Sequence, residues 1–451
     1  MLKRFLKYMI VLSAAAAIAA SVFLTAISVR SDMYAPVYGD CFEAGMTIQH
    51  IEGLDSGRSV VAGTLGENSY YKIYDDRGGL IAYHVIDGGD VCVRITDIGR
   101  WEHGPVLACL MQPADASVRS YGVLLFADQD GNTEKKTTLS AATAAGGYEA
   151  VFCLNGAEAL YACTGSGEVR VFDAEGAVRC VLPTGAETEV TSVTQVDEKL
   201  IVSGRKTGAY AAGYDQQGGL VWEYHVFDHE KYDSAVLYGS QLGEHYFMYG
   251  QYRERPVAES GDTEISDAVS RPDDEALPML PMPFRPLVRR DFDSRGAVNA
   301  FLVLLNGDGT QPRLLQYTAG TNHLLPVLCG VSDQAVFLYA AAAQSAEDAY
   351  FTGYLYELDT ELRQKASEEF SVSSDSVLYC VQRNGIYAYT SVNGSGAYRM
   401  RYFSSAAAYA EEMRRVAQYT EIEDVYLQTT LLLPWLIVAA GGLVLLRMRY
   451  V

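Results

Sequence analysis

Residues 149–182, EAVFCLNGAEALYACTGSGEVRVFDAEGAVRCVL, read as four short strands. Turns at Asn155-Gly156, Gly165-Ser166-Gly167 and Ala174-Glu175-Gly176 separate them. Short runs of β-branched, aromatic and small residues broken by such turns indicate an antiparallel meander. One meander cannot bury both of its faces, so it must recur. The second strand, Leu160-Tyr161-Ala162-Cys163, has counterparts ending in small or aromatic residues at Gly63, Cys109, Gly204, Gly250, Ala340 and Tyr389. Taken in chain order with Cys163, the steps are 46, 54, 41, 46, 90 and 49 residues, and the double-length step contains an insertion. A four-stranded unit repeating at roughly 40–50 residues predicts an all-β fold, a β-propeller. Seven blades is the expected count and eight the alternative.

The expected blades are 46–86, 89–140, 148–183, 189–227, a fifth from Ser234 that resumes at Ala297, 322–370 and 375–403. The last has three strands, and 36–44 is the segment placed to supply a fourth and close the ring. Closure removes the exposed sheet edges that invite aggregation. The fifth blade is interrupted at about 253–291, a stretch with six of the chain's 13 prolines and an acidic first half. Proline denies strand pairing and like charge opposes collapse, so this insertion is expected to be an extended loop.

The two ends have a different character. Residues 1–30 start with Lys3, Arg4 and Lys7 and then run apolar from about Tyr8 to Val29, which reads as an N-terminal transmembrane anchor or a signal peptide. Residues 427–451 read as a C-terminal transmembrane helix followed by a tail with Arg447 and Arg449. Residues 404–426 are expected to hold a juxtamembrane helix capped by Ser404 or Ser405. Basic flanks face the cytoplasm, so both ends put the propeller, 31–403, outside the cell membrane.

The formal net charge is −21, and without those five basic residues 30 basic face 56 acidic side chains. So acidic a surface repels phosphate backbones, and nucleic acid is not an expected partner. None of the eight cysteines has zinc-site spacing. Cys92, Cys153, Cys329 and Cys380 fall in first strands and are expected at one equivalent, buried position. Blade separation then keeps them free thiols, and Cys92 with Cys109 is the one conceivable pair.

Third and fourth strands are joined by Asp-x-x-Gly turns at Asp75, Asp128, Asp173 and Asp215. Asp caps the turn's N–H groups and Gly accepts positive φ. Asp128-Gln129-Asp130-Gly131-Asn132 is such a turn, since its glycine is misplaced for a calcium loop. The repeated strand, turn and outer strand, with Trp222 in GGLVWEYHVFD, resembles quinoprotein-like (pyrroloquinoline-quinone-type, WD40-like) propellers. That resemblance implies a blade scaffold in which tryptophans dock neighbouring blades. It supplies no catalytic residue, and no cofactor is expected.

His225, Asp228, His229, Glu230 and Asp233 form the densest ionisable cluster. A polar surface loop is the plain reading, and a binding, catalytic or metal site the sharper one. The 32 tyrosines against 15 phenylalanines suit recognition surfaces and also strands. The leading functional reading is a membrane-tethered, extracytoplasmic binding or scaffold module for a protein or cell-surface polymer. A glycan-active hydrolase or lyase, or a ligand sensor, is the alternative.

Overall fold

A computed structural model describes residues 41–414. It leaves out 43–45, 55–57, 76–78, 103, 116–117, 140–146, 155–158, 166, 256–298, 318–326, 333, 343–349, 374–375, 383–384, 392–397, 404 and 412–413. The chain separates into two compact units, 38–409 and 1–37 with 410–451, and all the sheets lie in the first.

Seven four-stranded antiparallel sheets are formed. Six are contiguous meanders, blades 1 to 6, each taking four consecutive strands from Met46–Gly53 through Gln364–Ser373. The remaining sheet is composite: Ser376–Gln382, Gly385–Ser391 and Tyr398–Phe403 are joined by Cys41–Phe42, which pairs Cys41 with Arg399 and Phe42 with Tyr398. The inner strand of each sheet touches that of the next, and the Met46–Gly53 strand of blade 1 touches Ser376–Gln382, so the cycle closes. Sheets radiating from a closed cycle of inner strands make a β-propeller.

The expected fold class is corrected on this showing. The chain builds six contiguous blades plus one composite sheet closed by a two-residue strand, not the seven or eight like units expected. Among the described residues no helix is long and apolar enough to cross a membrane. The two expected spans and nearly all of the expected insertion lie outside the described residues. Of the expected juxtamembrane helix, 406–411 is helical. Ser405 caps it, its Oγ accepting the N–H of Ala408 at 3.1 Å. Tyr409 is buried edge-on against Phe370 and Phe403, so this turn packs on the ring and is not a bare spacer.

Every inner strand carries one β-bulge, which leaves Gln49, Thr96, Glu149, Thr191, Leu237, Cys329 and Cys380 without a cross-strand partner. An extra residue bends and twists the strand. The bulge also explains part of the sequence repeat. Gly63, Cys109, Gly204 and Gly250 pair with the residue just before it. A Cβ on Gly204 would strike the Glu189 carbonyl, and one on Gly250 the Ala235 carbonyl. The bulges correct the cysteine expectation. Cys329 and Cys380 share the bulge position, whereas Cys92 stands four residues before Thr96 and Cys153 four after Glu149. Cys92 is exposed, and Cys109, Cys153, Cys163 and Cys180 are buried free thiols.

Blades are joined at the Asp turns. Six share one geometry, with the N–H of Asp75, Asp128, Asp173, Asp215, Asn306 or Asp359 bonded to the carbonyl four residues on. The outer strand of the preceding blade, or the strand beside it, lands on that turn. Tyr71 Oη donates to the Gly131 carbonyl at 2.7 Å, Thr137 Oγ1 to Ala174 at 3.2 Å, and Arg313 to Glu361. Trp222 Nε1 donates to the Gly307 carbonyl at 3.0 Å and its ring covers Gly309. Trp222 thus docks blade 4 on the turn of blade 5; of the expected resemblance it is the propeller scaffold, and not the quinoprotein type, that is supported. Trp101 instead bonds within its own blade, to Ala127 at 3.0 Å.

Candidate functional site

The five residues singled out in sequence do not converge on one site. His225 ends the outer strand Leu220–His225 of blade 4, where Nε2 lies 3.0 Å from Glu223 Oε1, itself 3.1 Å from Lys206 Nζ. Asp233 starts the inner strand of blade 5 and pairs with Arg205 at 2.9 Å and Arg253 at 3.5 Å. Asp228 folds the loop between them, Oδ1 accepting the Glu230 N–H at 3.0 Å and Oδ2 lying 3.6 Å from Lys231 Nζ. His229 and Glu230 are exposed on that loop. Among the described residues no three His, Cys, Asp or Glu side chains could hold a metal ion. Of these contacts, the Asp233–Arg205 pair is the one that joins blade 4 to blade 5.

A second group, on the inner strands of blades 1 to 3, was not anticipated from sequence. Arg100 donates Nε and Nη2 to Glu52 Oε1 at 3.0 and 2.6 Å, joining blade 2 to blade 1. Asp97 Oδ2 accepts the Cys153 N–H at 2.8 Å, joining blade 2 to blade 3, while Oδ1 accepts that of Ile98 at 2.9 Å. Thr96, the bulge residue, donates Oγ1 to the Val151 carbonyl at 2.7 Å. Thr191 repeats the device between blades 4 and 5, to Val236 at 2.9 Å. Burial pushes Asp97 up to about 7, and the nearby Glu52 charge adds to the shift. Burial and then the Arg94 charge push His50 down to about 4. The Cys153 thiol is raised well above its ordinary range by burial and then by Asp97, so it is not a thiolate nucleophile. These groups bind strand to strand.

The third feature is on the rim. Nine large apolar side chains are exposed among the described residues, and eight of them lie on outer strands. They are Leu80, Tyr83 and Val85 of blade 1, Val178 and Val181 of blade 3, Leu220 and Val221 of blade 4, and Leu314 of blade 5, with exposures of 37–54%. The alternation in Val178–Gly185 shows the cause: Cys180, Leu182 and Thr184 point inward, which turns Arg179, Val181 and Pro183 outward. The outer strands of blades 2 and 6 expose Glu134 with Lys136 and Lys365 with Glu369 instead. Five of the eight lie on the outer strands of the consecutive blades 3, 4 and 5. Sequence reading missed it because VRCVL and GLVWEYHV show no cue to which side faces the next blade.

No family model matches the chain, and no curated protein does. Among solved structures it is similar to the WD40 domain of SCAP from fission yeast, at 8% identity and a TM-score of 0.40, covering 81% of this chain and 98% of that one. It is similar also to a catalytically inactive virginiamycin B lyase from Staphylococcus aureus with quinupristin, at 8% and 0.41, covering 81% and 99%. A third likeness is to YCF48 bound to D1 peptide, at 7% and 0.40, covering 81% and 96%. At such scores these likenesses carry no argument about function, and the β-propeller rests on sheet order and ring closure.

Proposed function

We propose that this protein is a binding or scaffold module that holds a protein partner on the outer rim of its propeller. The observation that carries the reading is the run of exposed aliphatic side chains on the outer strands of blades 3 to 5. Such surface is unfavourable in water by roughly 25 cal/mol per Å², and covering it drives association. The reading is tested by Leu220→Lys with Val221→Glu, two exposed positions whose replacement leaves the core untouched. The double variant should melt within a few degrees of the wild type and lose the proteins that co-purify with it. Retention of every co-purifying protein counts against the rim.

The module is further proposed to act on the outer side of the cell membrane. The support is sequence alone: basic residues gather at both ends, and the stretch between is strongly acidic. Protease added to intact cells should digest residues 41–414, and protection until lysis contradicts this placement.

A further inference from the structure

The outer strand of blade 1, Leu80–Ile86, pairs with Asn68–Tyr74 on one side and, among the described residues, has no strand on the other. Alternate N–H and C=O groups along that free edge point outward and can template another strand. Its two faces differ. Ala82 and His84 lie on Gly131 of blade 2, with His84 stacked on Tyr71 at 5.0 Å. Tyr83 and Val85 face solvent.

Natural edges are usually protected by charge. The outer strands of blades 2 and 6 follow that rule, with Glu134, Lys135 and Lys136 in one and Lys365, Glu368 and Glu369 in the other. Leu80–Ile86 carries no Lys, Arg, Asp or Glu. Lys72, on the neighbouring strand, is buried with Nζ 4.9 Å from the Tyr83 ring. Immediately beyond the strand stand Asp87 and Asp90, both exposed. Asp87 Oδ1 accepts only the Gly89 N–H, at 2.8 Å, and among the described residues no ion pair reaches either carboxylate.

We infer that this edge accepts an extended segment of a partner protein as a fifth strand, with apolar side chains at alternate positions and Lys or Arg beyond one end. The apolar side chains lie over Tyr83 and Val85, and the cationic end meets Asp87 and Asp90. Charge decides against a second copy of this chain as the occupant. Pairing Leu80–Ile86 with itself would supply no cation to Asp87 or Asp90, because the strand has none. The inference rests on the outer-rim reading above and narrows it to one strand and one partner chemistry.

The test uses the full chain with two synthetic peptides of alternating valine and threonine, one ending in two lysines and its twin in two glutamates. The lysine peptide should slow amide exchange across 80–86, and the glutamate twin should bind at least about tenfold more weakly. Asp87→Lys with Asp90→Lys should reverse that preference. Val85→Lys, at an exposed site, should abolish binding while the melting curve stays in place. Equal affinity for the two peptides overturns the inference, as does unchanged exchange at 80–86. So does a dimer that Val85→Lys dissolves. If Leu220→Lys with Val221→Glu loses the co-purifying partner while the lysine peptide leaves 80–86 unprotected, the rim reading stands and this assignment fails. If the peptide protects 80–86 and that double variant keeps its partner, blade 1 alone carries the binding.

Discussion

Asp97 holds blades 2 and 3 together through the Cys153 N–H, and its burial sets the sign of a pH effect. Its carboxyl is raised from 3.8 to about 7, so the folded chain binds this proton more tightly than the unfolded one. Its contribution is therefore fully present at low pH and is lost as pH rises from about 4 through about 7. His50 works in the other direction. Lowered from 6.5 to about 4, it favours the fold when neutral, and that contribution is lost as pH falls from 6.5 through about 4. Between pH 6.5 and 8 Asp97 changes charge in the folded chain and His50 does not. The wild-type melting temperature should fall across that window, and Asp97→Asn should flatten the fall. Equal slopes would show that Asp97 is not the group responsible. Neither residue stands out in sequence, because Ile-Thr-Asp-Ile gives no sign that the Thr is a bulge turning the Asp toward the next blade. The same one-residue insertion defeats the reading of the cysteines by register. Cys92 and Cys153 match Cys329 and Cys380 in strand but not in position along it.

At the scale of the element, the turn joining third and fourth strands is where local chemistry and ring assembly meet. Asp215 Oδ1 accepts the N–H groups of Gln217 and Gly219 at 2.9 and 2.7 Å, and Asp173 and Asp359 repeat the arrangement. Gly131, Gly176, Gly218 and Gly309 take the positive φ this needs, and in blade 6 Leu362 takes it at 57°. At Gly218 a second demand is added, since a Cβ would lie 2.5 Å from the Val181 carbonyl of the preceding blade. Gly66, at φ 62°, has open space instead. Gly66→Ala should therefore cost only the backbone term, about 1 kcal/mol, whereas Gly218→Ala should cost about 1–3 kcal/mol more. Chemical denaturation of the two variants checks this, and equal costs would mean that the turn does not bear on blade 3. The turns at Asp75, Asp128, Asp173 and Asp215 were readable in sequence because each is closed by its own five residues. What lands on them was not, because blades use Tyr71, Thr137, Trp222 and Arg313 for the same task.

For the whole molecule, repeat spacing conveyed the order of strands because each blade is contiguous, and 36–44 did supply the closing strand, as Cys41–Phe42. The spacing did not show how short that closing strand is, two residue pairs at the outer edge of the final sheet. Nor did it show which apolar side chains stay in water, since that depends on the tilt of each outer strand against its neighbour. The ionisable cluster around His225 drew notice through density alone. Folding distributes it among Glu223, Lys206, Arg205 and Arg253, while Leu220 and Val221 on the same blade stay exposed. Recognition is thus proposed on the rim, at blades 1, 3, 4 and 5. Photo-crosslinking amino acids placed singly at Val85, Val181, Val221, Lys136 and Lys365, in cells that make the full chain, test that most directly. Crosslinks to another protein at the three valine positions, with none at the two lysine positions, are the predicted result. Crosslinks spread evenly over all five, or confined to the lysines, would contradict it.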